Sequence, residues 1–172
     1  MPPANDLDDI HDLLRFRSSA NLDAVLALNE QSVEYLSPLN EPRLTQLASA
    51  ACHFRVIEID QTIAAFLLGF RKGAAYDSPN FLWFDTRFDD FFYVDRVVVA
   101  PEFRGRKLAD RLYDDFESAA RAVGVTRITC EVNIEPPNPV SLRFHERRGF
   151  REIGRQPYGD RKIVAMFARE LV

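Results

Sequence analysis

The residues best suited to chemistry in this chain are a basic turn, Arg104-Gly105-Arg106-Lys107, and four titratable side chains, Tyr93, Asp95, Glu131 and His145. The turn follows the apolar run Val97-Val98-Val99 and precedes a segment whose apolar residues recur at helical spacing from Leu108 and Ala109 onward. A helix that starts there leaves its first backbone N–H groups without intrahelical acceptors and presents the positive end of its dipole. Three cationic side chains add to that field, so the junction suits a phosphate or pyrophosphate. The alternative reading of the same residues is a solvated Arg/Lys cluster at an ordinary helix start.

The stretch 97–112 resembles the acetyl-CoA-binding motif of the GNAT superfamily of N-acetyltransferases, through Val99, Pro101, Arg104 and Ala109. Lys107 stands where the family usually has its first glycine. A Cβ there restricts how closely backbone approaches a pyrophosphate, and the expectation is a helical φ with the ammonium replacing backbone contact by charge. A second stretch, 131–150, resembles the family's second block, with Asn138, Ser141, Gly149 and Phe150 at the family's mutual spacing. Together the two cover roughly residues 94–152, about a third of the chain. The resemblance implies acetyl-CoA as cofactor, held by Val97, Val98 and Val99, by the turn from Arg104 through Gly105, Arg106, Lys107 and Leu108 to Ala109, and by Asn138, Ser141 and Phe144.

It also implies direct transfer of an acetyl group to an amine, and that reaction makes three demands. A substrate amine with a pKa of about 10 must lose a proton, the oxyanion that develops needs N–H donors, and a proton donor near the sulfur helps the thiolate leave. Many family members carry a tyrosine seven residues after the motif asparagine; the same count from Asn138 reaches His145 here. Asn138, Ser141 and His145 share one side of a helix, which makes His145 the candidate general acid, against a packing role beside Phe144. Strand alternation puts Tyr93, Asp95, Val97 and Val99 on one side and Val94, Arg96 and Val98 on the other. Asp95 is then a candidate base, with Tyr93 orienting the amine or a water, and Glu131 on the neighbouring strand competes with it. Either carboxylate is also accounted for by pairing with Arg96 or Arg127 across the sheet.

The elements that must position these groups are legible in outline. Residues 13–17 read as a strand. Asn21 reads as the N-cap of a helix running to Leu36 and broken by Ser37-Pro38, with a shorter helix over 42–51. Residues 54–59 and 62–70, joined at Asp60-Gln61, read as a β-hairpin. The Gly, Pro, Asn and Asp punctuation of 73–90 predicts a long loop, dense in aromatics: Tyr76, Phe81, Trp83, Phe84 and Phe88, continuing into Phe91, Phe92 and Tyr93. It is the candidate acceptor-binding segment, although anchoring to the core explains at least half of those rings. Asp77, Asp85, Asp89 and Asp90 favour a cationic acceptor or form a solvated face. Strands over 91–99, 127–133, 150–156 and 163–169 and helices from Leu108 and over 138–147 complete the pattern. Leu108, Leu112, Tyr113, Phe116, Ala120 and Val123 line the apolar face of the first of these helices, with Glu117 on the polar one.

The fold class expected is mixed α/β (α+β): a GNAT-like domain over 1–172 with a central mixed, mostly antiparallel sheet of about six to seven strands and about four helices. At 172 residues, 47% hydrophobic and 28% charged, the composition is that of a soluble globular domain. A net charge of −4 argues against a general nucleic-acid binder. No apolar run reaches membrane-span length, and residues 1–14 lack the pattern of a signal peptide, so a cytoplasmic protein is expected. Cys52 and Cys130 read as buried structural thiols, and His11, His53 and His145 lack metal-ligand spacing, so no metal is expected. The expected partner is a small-molecule or peptide amine, with neither nucleic acid nor membrane, and a homodimer is the assembly to test. Two other functions stay open: an acyl-CoA-binding regulatory module, suggested by the Lys107 and His145 departures, and an interaction domain that uses the aromatic segment as a partner surface.

Overall fold

A computed structural model describes residues 10–12 and 19–172, with side chains from Asn21 onward. Asp60 and Gln61 both take left-handed φ, 49° and 63°, the twist a two-residue hairpin turn requires. They join β2 (His53–Ile59) to β3 (Thr62–Arg71). With β1 (Ile10–Asp12), β4 (Phe92–Val99), β5 (Arg127–Glu135), β6 (Arg151–Tyr158) and β7 (Lys162–Glu170), these form a seven-stranded sheet in the order β1-β2-β3-β4-β5-β7-β6. β4 and β5 run parallel, with Phe92 opposite Ile128 and Tyr93 opposite Thr129. The pairs β1/β2, β2/β3, β5/β7 and β6/β7 are antiparallel, so the sheet is mixed and mostly antiparallel as expected.

Five helices accompany it: α1 (Ser19–Glu30), α2 (Glu41–Ala50), α3 (Pro79–Asp85), α4 (Leu108–Ala122) and α5 (Pro139–Arg147). Three expectations change. The strand over 13–17 lies outside the described residues. Asn21 is inside α1 and does not cap it, and the chain leaves the helix at Glu30 for a series of turns in which the Asn29 side chain donates to the Ser37 carbonyl at 3.2 Å. The segment 73–90 contains α3, because the Ser78 Oγ accepts from the Phe81 N–H and Pro79 occupies the first turn.

The described residues fall into two compact units. The first comprises the described part of 1–69 with 96–116. Its interior includes Arg96, which donates to Asn29 Oδ1 (2.8 Å) and the Ser37 carbonyl (2.6 Å). Asp115 of α4 lies 3.1 Å from His53 Nε2 and 3.2 Å from Arg55 Nε. Burial pushes its carboxyl upward, but the hydrogen bonds and charges of His53 and Arg55 outweigh it and hold the group below the usual range. Cys52 is exposed, not buried as expected, because it precedes β2 at the surface, where its Sγ contacts the Gly69 carbonyl at 3.6 Å.

The second unit comprises 70–95 and 117–172. Phe81 and Phe84, one turn apart on α3, are fully buried in a ring cluster with Phe70, Tyr76, Phe91 and Tyr93. Of the eight aromatics from Tyr76 to Tyr93, all but Trp83 and Phe88 are buried, so core packing explains most of them. Asp85 accepts the Gly73 N–H at 2.8 Å and Asp90 pairs with Arg71 at 2.7 Å, which commits both carboxylates to holding the ends of the segment. Glu117, expected on the polar face of α4, is buried because Arg148 (2.9 Å) and Arg169 (2.6 Å) both donate to its Oε1. Val123, expected on the apolar face, is 52% exposed beyond the last turn of α4.

The edge strand β6 turns Gly154, Gln156 and Tyr158 inward while the residues between them are exposed. A Cβ added to Gly154 falls 2.6 Å from Cζ2 of Trp83 on α3, so the strand meets the indole at a position that only glycine fits. Trp83 is the single tryptophan of the chain. Gly154→Ala is therefore expected to shift the intrinsic fluorescence and to destabilise the fold by about 1–3 kcal/mol; unchanged emission and unchanged thermal midpoint would show that the indole is not held there.

Candidate active site

The second unit brings together two half-buried carboxylates, Asp95 and Glu131, beside the buried Tyr93 and Asn80. Alternation along β4 leaves Val94 buried and Asp95 half-buried, while Tyr93 is fully enclosed. The Tyr93 hydroxyl donates to Glu131 Oε2 at 2.7 Å, and Asn80 Nδ2 of α3 donates to Glu131 Oε1 at 3.1 Å. Gln156 Nε2 of β6 in turn donates to Asn80 Oδ1 at 2.5 Å. Beside this chain the Tyr76 hydroxyl donates to Asp95 Oδ1 at 2.6 Å. The arginines expected as partners are engaged elsewhere, Arg96 with Asn29 and Ser37, and Arg127 with Glu170 at 2.6 Å and the Phe88 ring at 4.1 Å.

Burial is the foremost influence on Glu131 and raises its carboxyl; the Asp95 charge adds to that, the hydrogen bonds from Tyr93 and Asn80 oppose it, and the result is about 7. Tyr93 is pushed well above its ordinary value by burial first and then by the charges of Glu131 and Asp95, so its phenol stays a proton-bearing donor. A carboxylate with both oxygens engaged and a pKa near neutrality is equipped to take a proton from a weak acid. Asn80 and Gln156 were not among the residues read from the sequence, and Tyr76 was read only as one ring of the aromatic segment. The Ser78-Pro79 helix start, with Phe81 and Phe84 one turn apart, was the signal for α3, and hence for the burial of Asn80 beside Phe81.

His145 does not join that cluster. It is 3% exposed, among Phe144 and Phe150 with ring centroids at 5.2 Å and Phe167 at 6.4 Å. Its Nδ1 lies 2.8 Å from the Ser141 carbonyl oxygen and 3.3 Å from Ser141 Oγ, so Nδ1 carries the proton and donates to the carbonyl. Burial, reinforced by the charge of Arg148 and opposed by the Ser141 carbonyl, lowers the ring to about 4. The Nδ1–H is engaged by the Ser141 carbonyl and burial disfavours a second proton on the ring, surroundings that favour the packing alternative for His145 over the general acid. Asn138 caps α5, its Oδ1 accepting the Ser141 N–H at 3.2 Å. Phe144 is half-buried under Arg147 and Arg148, at 5.3 and 5.9 Å. Asn138, Ser141 and His145 are thus linked along the first turns of α5.

In the first unit, Val98 is buried and Val97 and Val99 are half-buried at the end of β4. The chain passes through a 3-10 turn at Pro101–Phe103 and reaches Gly105 and Lys107, with φ of 79° and 58°. The helical φ expected for Lys107 is replaced by a left-handed one. That conformation explains a preference for glycine at this position, since a Cβ there is strained. Arg104, Gly105, Arg106 and Lys107 are exposed, and a Cβ added to Gly105 meets nothing within 4 Å. Leu108 then begins α4, so an open basic turn abuts the N–H groups of its first turn, a combination that fits the pyrophosphate of coenzyme A. Lys107→Gly is expected to raise stability by up to about 1 kcal/mol and to weaken coenzyme A binding at low salt through loss of one charge. A destabilised variant, seen by thermal melting, would contradict the strained turn.

Comparison with known proteins agrees with this architecture. Residues 18–150 match the family model described as the acetyltransferase (GNAT) family. Among solved structures, Ard1 from Thermoplasma volcanium superposes with a TM-score of 0.75 at 17% identity, covering 95% of this chain and 97% of that one. The ribosomal-protein-S18-alanine N-acetyltransferase from Escherichia coli gives 0.67 at 15% identity, covering 94% and 92%. YncA from Salmonella typhimurium, solved with its cofactor acetyl-CoA, gives 0.67 at 14% identity, covering 95% and 93%. Because the family match spans far more than half of the sequence, the chain belongs to the GNAT acetyltransferase family, whose acyl donor is acetyl-CoA.

Proposed function

We propose that this chain is an N-acetyltransferase that acts by direct transfer to a primary amine of a small molecule or peptide, with Glu131 as the general base. The observation that carries the reading is the Glu131 carboxylate itself, held by Tyr93 and Asn80 and raised to about 7. Acetyl-CoA, when bound, would supply the thioester carbonyl that the acceptor nitrogen attacks; as the C–N bond forms the C–S bond breaks, and coenzyme A departs as a thiolate that takes a proton from solvent. Arg104, Arg106 and Lys107, with the backbone N–H groups from Gly105 to Ala109, hold its phosphates by charge and hydrogen bonding, and the backbone of Val97 to Val99 holds its arm.

The other groups of the cluster act on Glu131 or on the acceptor. An amine with a pKa of about 10 is almost wholly an ammonium at neutral pH. Glu131 accepts its proton directly or through a water, and does so more readily than a carboxylate at the ordinary 4.5. Asp95 adds negative charge that favours an ammonium on approach and strengthens Glu131 as a base. Tyr93, kept as a phenol, fixes the carboxylate plane through Oε2. The names of solved relatives support an amine acceptor, one of them an alanine of a ribosomal protein, and the half-buried carboxylates of Asp95 and Glu131 suit a cationic nitrogen.

The base must be ionised to act. Activity is therefore expected to rise with pH through a midpoint near 7 and to fall as Glu131 protonates below it. Glu131→Gln is expected to lower kcat/KM by roughly a hundred-fold or more and to abolish that limb, in an assay of free thiol release with a panel of amines and peptide N-termini. A folded Glu131→Gln protein with undiminished turnover would overturn the assignment.

A further inference from the structure

Glu131 receives one of its hydrogen bonds from an amide, and an amide has two ends. Asn80 is 2% exposed on α3, with Nδ2 toward Glu131 Oε1 at 3.1 Å and Oδ1 toward Gln156 at 2.5 Å. Were it turned over, its carbonyl oxygen would face a carboxylate oxygen, two acceptors with no proton between them. The Gln156 N–H, by occupying Oδ1, selects the orientation that leaves Nδ2 for Glu131. Gln156 lies on the inward face of β6 with Gly154, which abuts Trp83. Asn80 and Trp83 are three residues apart on α3, so β6 meets the helix at both points of one face.

We propose that Gln156 and Asn80 form a positioning pair for the base: Gln156 sets the direction of the Asn80 amide, and Asn80 holds Glu131 Oε1 as an ionised acceptor. This rests on the reading of Glu131 as the general base. The other groups that bear on Glu131 are Tyr93 and Asp95 of β4, Tyr76 through its bond to Asp95, and Cys130 beside it on β5. Of these, Tyr93 also donates to the carboxylate and Asp95 makes ionisation harder, so the Asn80 N–H offsets part of what burial and Asp95 do. Loss of that N–H makes the carboxylate harder to ionise, and the acid limb of the rate moves to higher pH.

The experiment is a set of pH–rate profiles for the full-length protein and for Asn80→Ala, Gln156→Leu, the double variant and Glu131→Gln, with KM for acetyl-CoA measured in each. Asn80→Ala and Gln156→Leu are each expected to move the acid limb upward by about one pH unit, lowering the rate at neutral pH by about fivefold while the high-pH plateau and KM for acetyl-CoA stay close to those of the unmodified protein. The double variant is expected to match Asn80→Ala, because Gln156 acts through Asn80. An unmoved limb in either single variant, or shifts that add in the double, would overturn the pair. If Asn80→Ala does not fold, Gln156→Leu on the edge strand decides by the same criterion. Loss of the limb in Glu131→Gln together with an unmoved limb in Asn80→Ala keeps the base and removes the pair; a limb that persists in Glu131→Gln removes both.

Discussion

Glu131 is half-buried in the second unit yet lies beside another carboxylate, Asp95, and the surrounding side chains are arranged to make that tolerable. Burial and like charge both oppose ionisation, while Tyr93 and Asn80 each supply a hydrogen bond to a different oxygen. The balance leaves a carboxyl that changes charge near neutrality. Each donor depends in turn on packing: Tyr93 is locked among Phe81 and Phe84, and Asn80 is carried by the helix those two rings anchor. The aromatic density of 73–90 is thus connected to chemistry indirectly, through the rigidity it gives to the donors.

The first unit shows a different physical solution. Its basic turn is open and its backbone is strained at Lys107, where a side chain occupies a left-handed conformation. A lysine there adds positive charge beside the first turn of α4 but places a Cβ in a backbone conformation that favours glycine. On the proposed function, anion recognition would fall to exposed cations and N–H groups of the first unit and proton acceptance to a half-buried carboxylate of the second.

Much of this was legible in the sequence because local chemistry specifies it. The Asp60-Gln61 hairpin, the alternation of β4 and the amphipathic pattern of α4 lie where the residue periods place them. The basic turn was legible too, since its charges and its glycine are contiguous. Other features depend on surroundings that residue type and spacing do not show. Glu117 is buried because Arg148 and Arg169 converge on it, and Asn80, not singled out in the sequence, accepts from Gln156, 76 residues later. His145 sits at the residue count expected for a proton donor, yet Phe150 and Phe167 enclose it and the Ser141 carbonyl holds its N–H. A count along the helix gave its face without its environment.

The ionisation of Glu131 can be read directly. In a carbon-detected NMR titration of side-chain carboxyls, with Glu131→Gln used to assign the resonance, Glu131 is expected to titrate with a midpoint near 7, well separated from the exposed carboxylates. A midpoint at the ordinary value of 4.5 would contradict the half-buried, hydrogen-bonded base on which the functional reading stands.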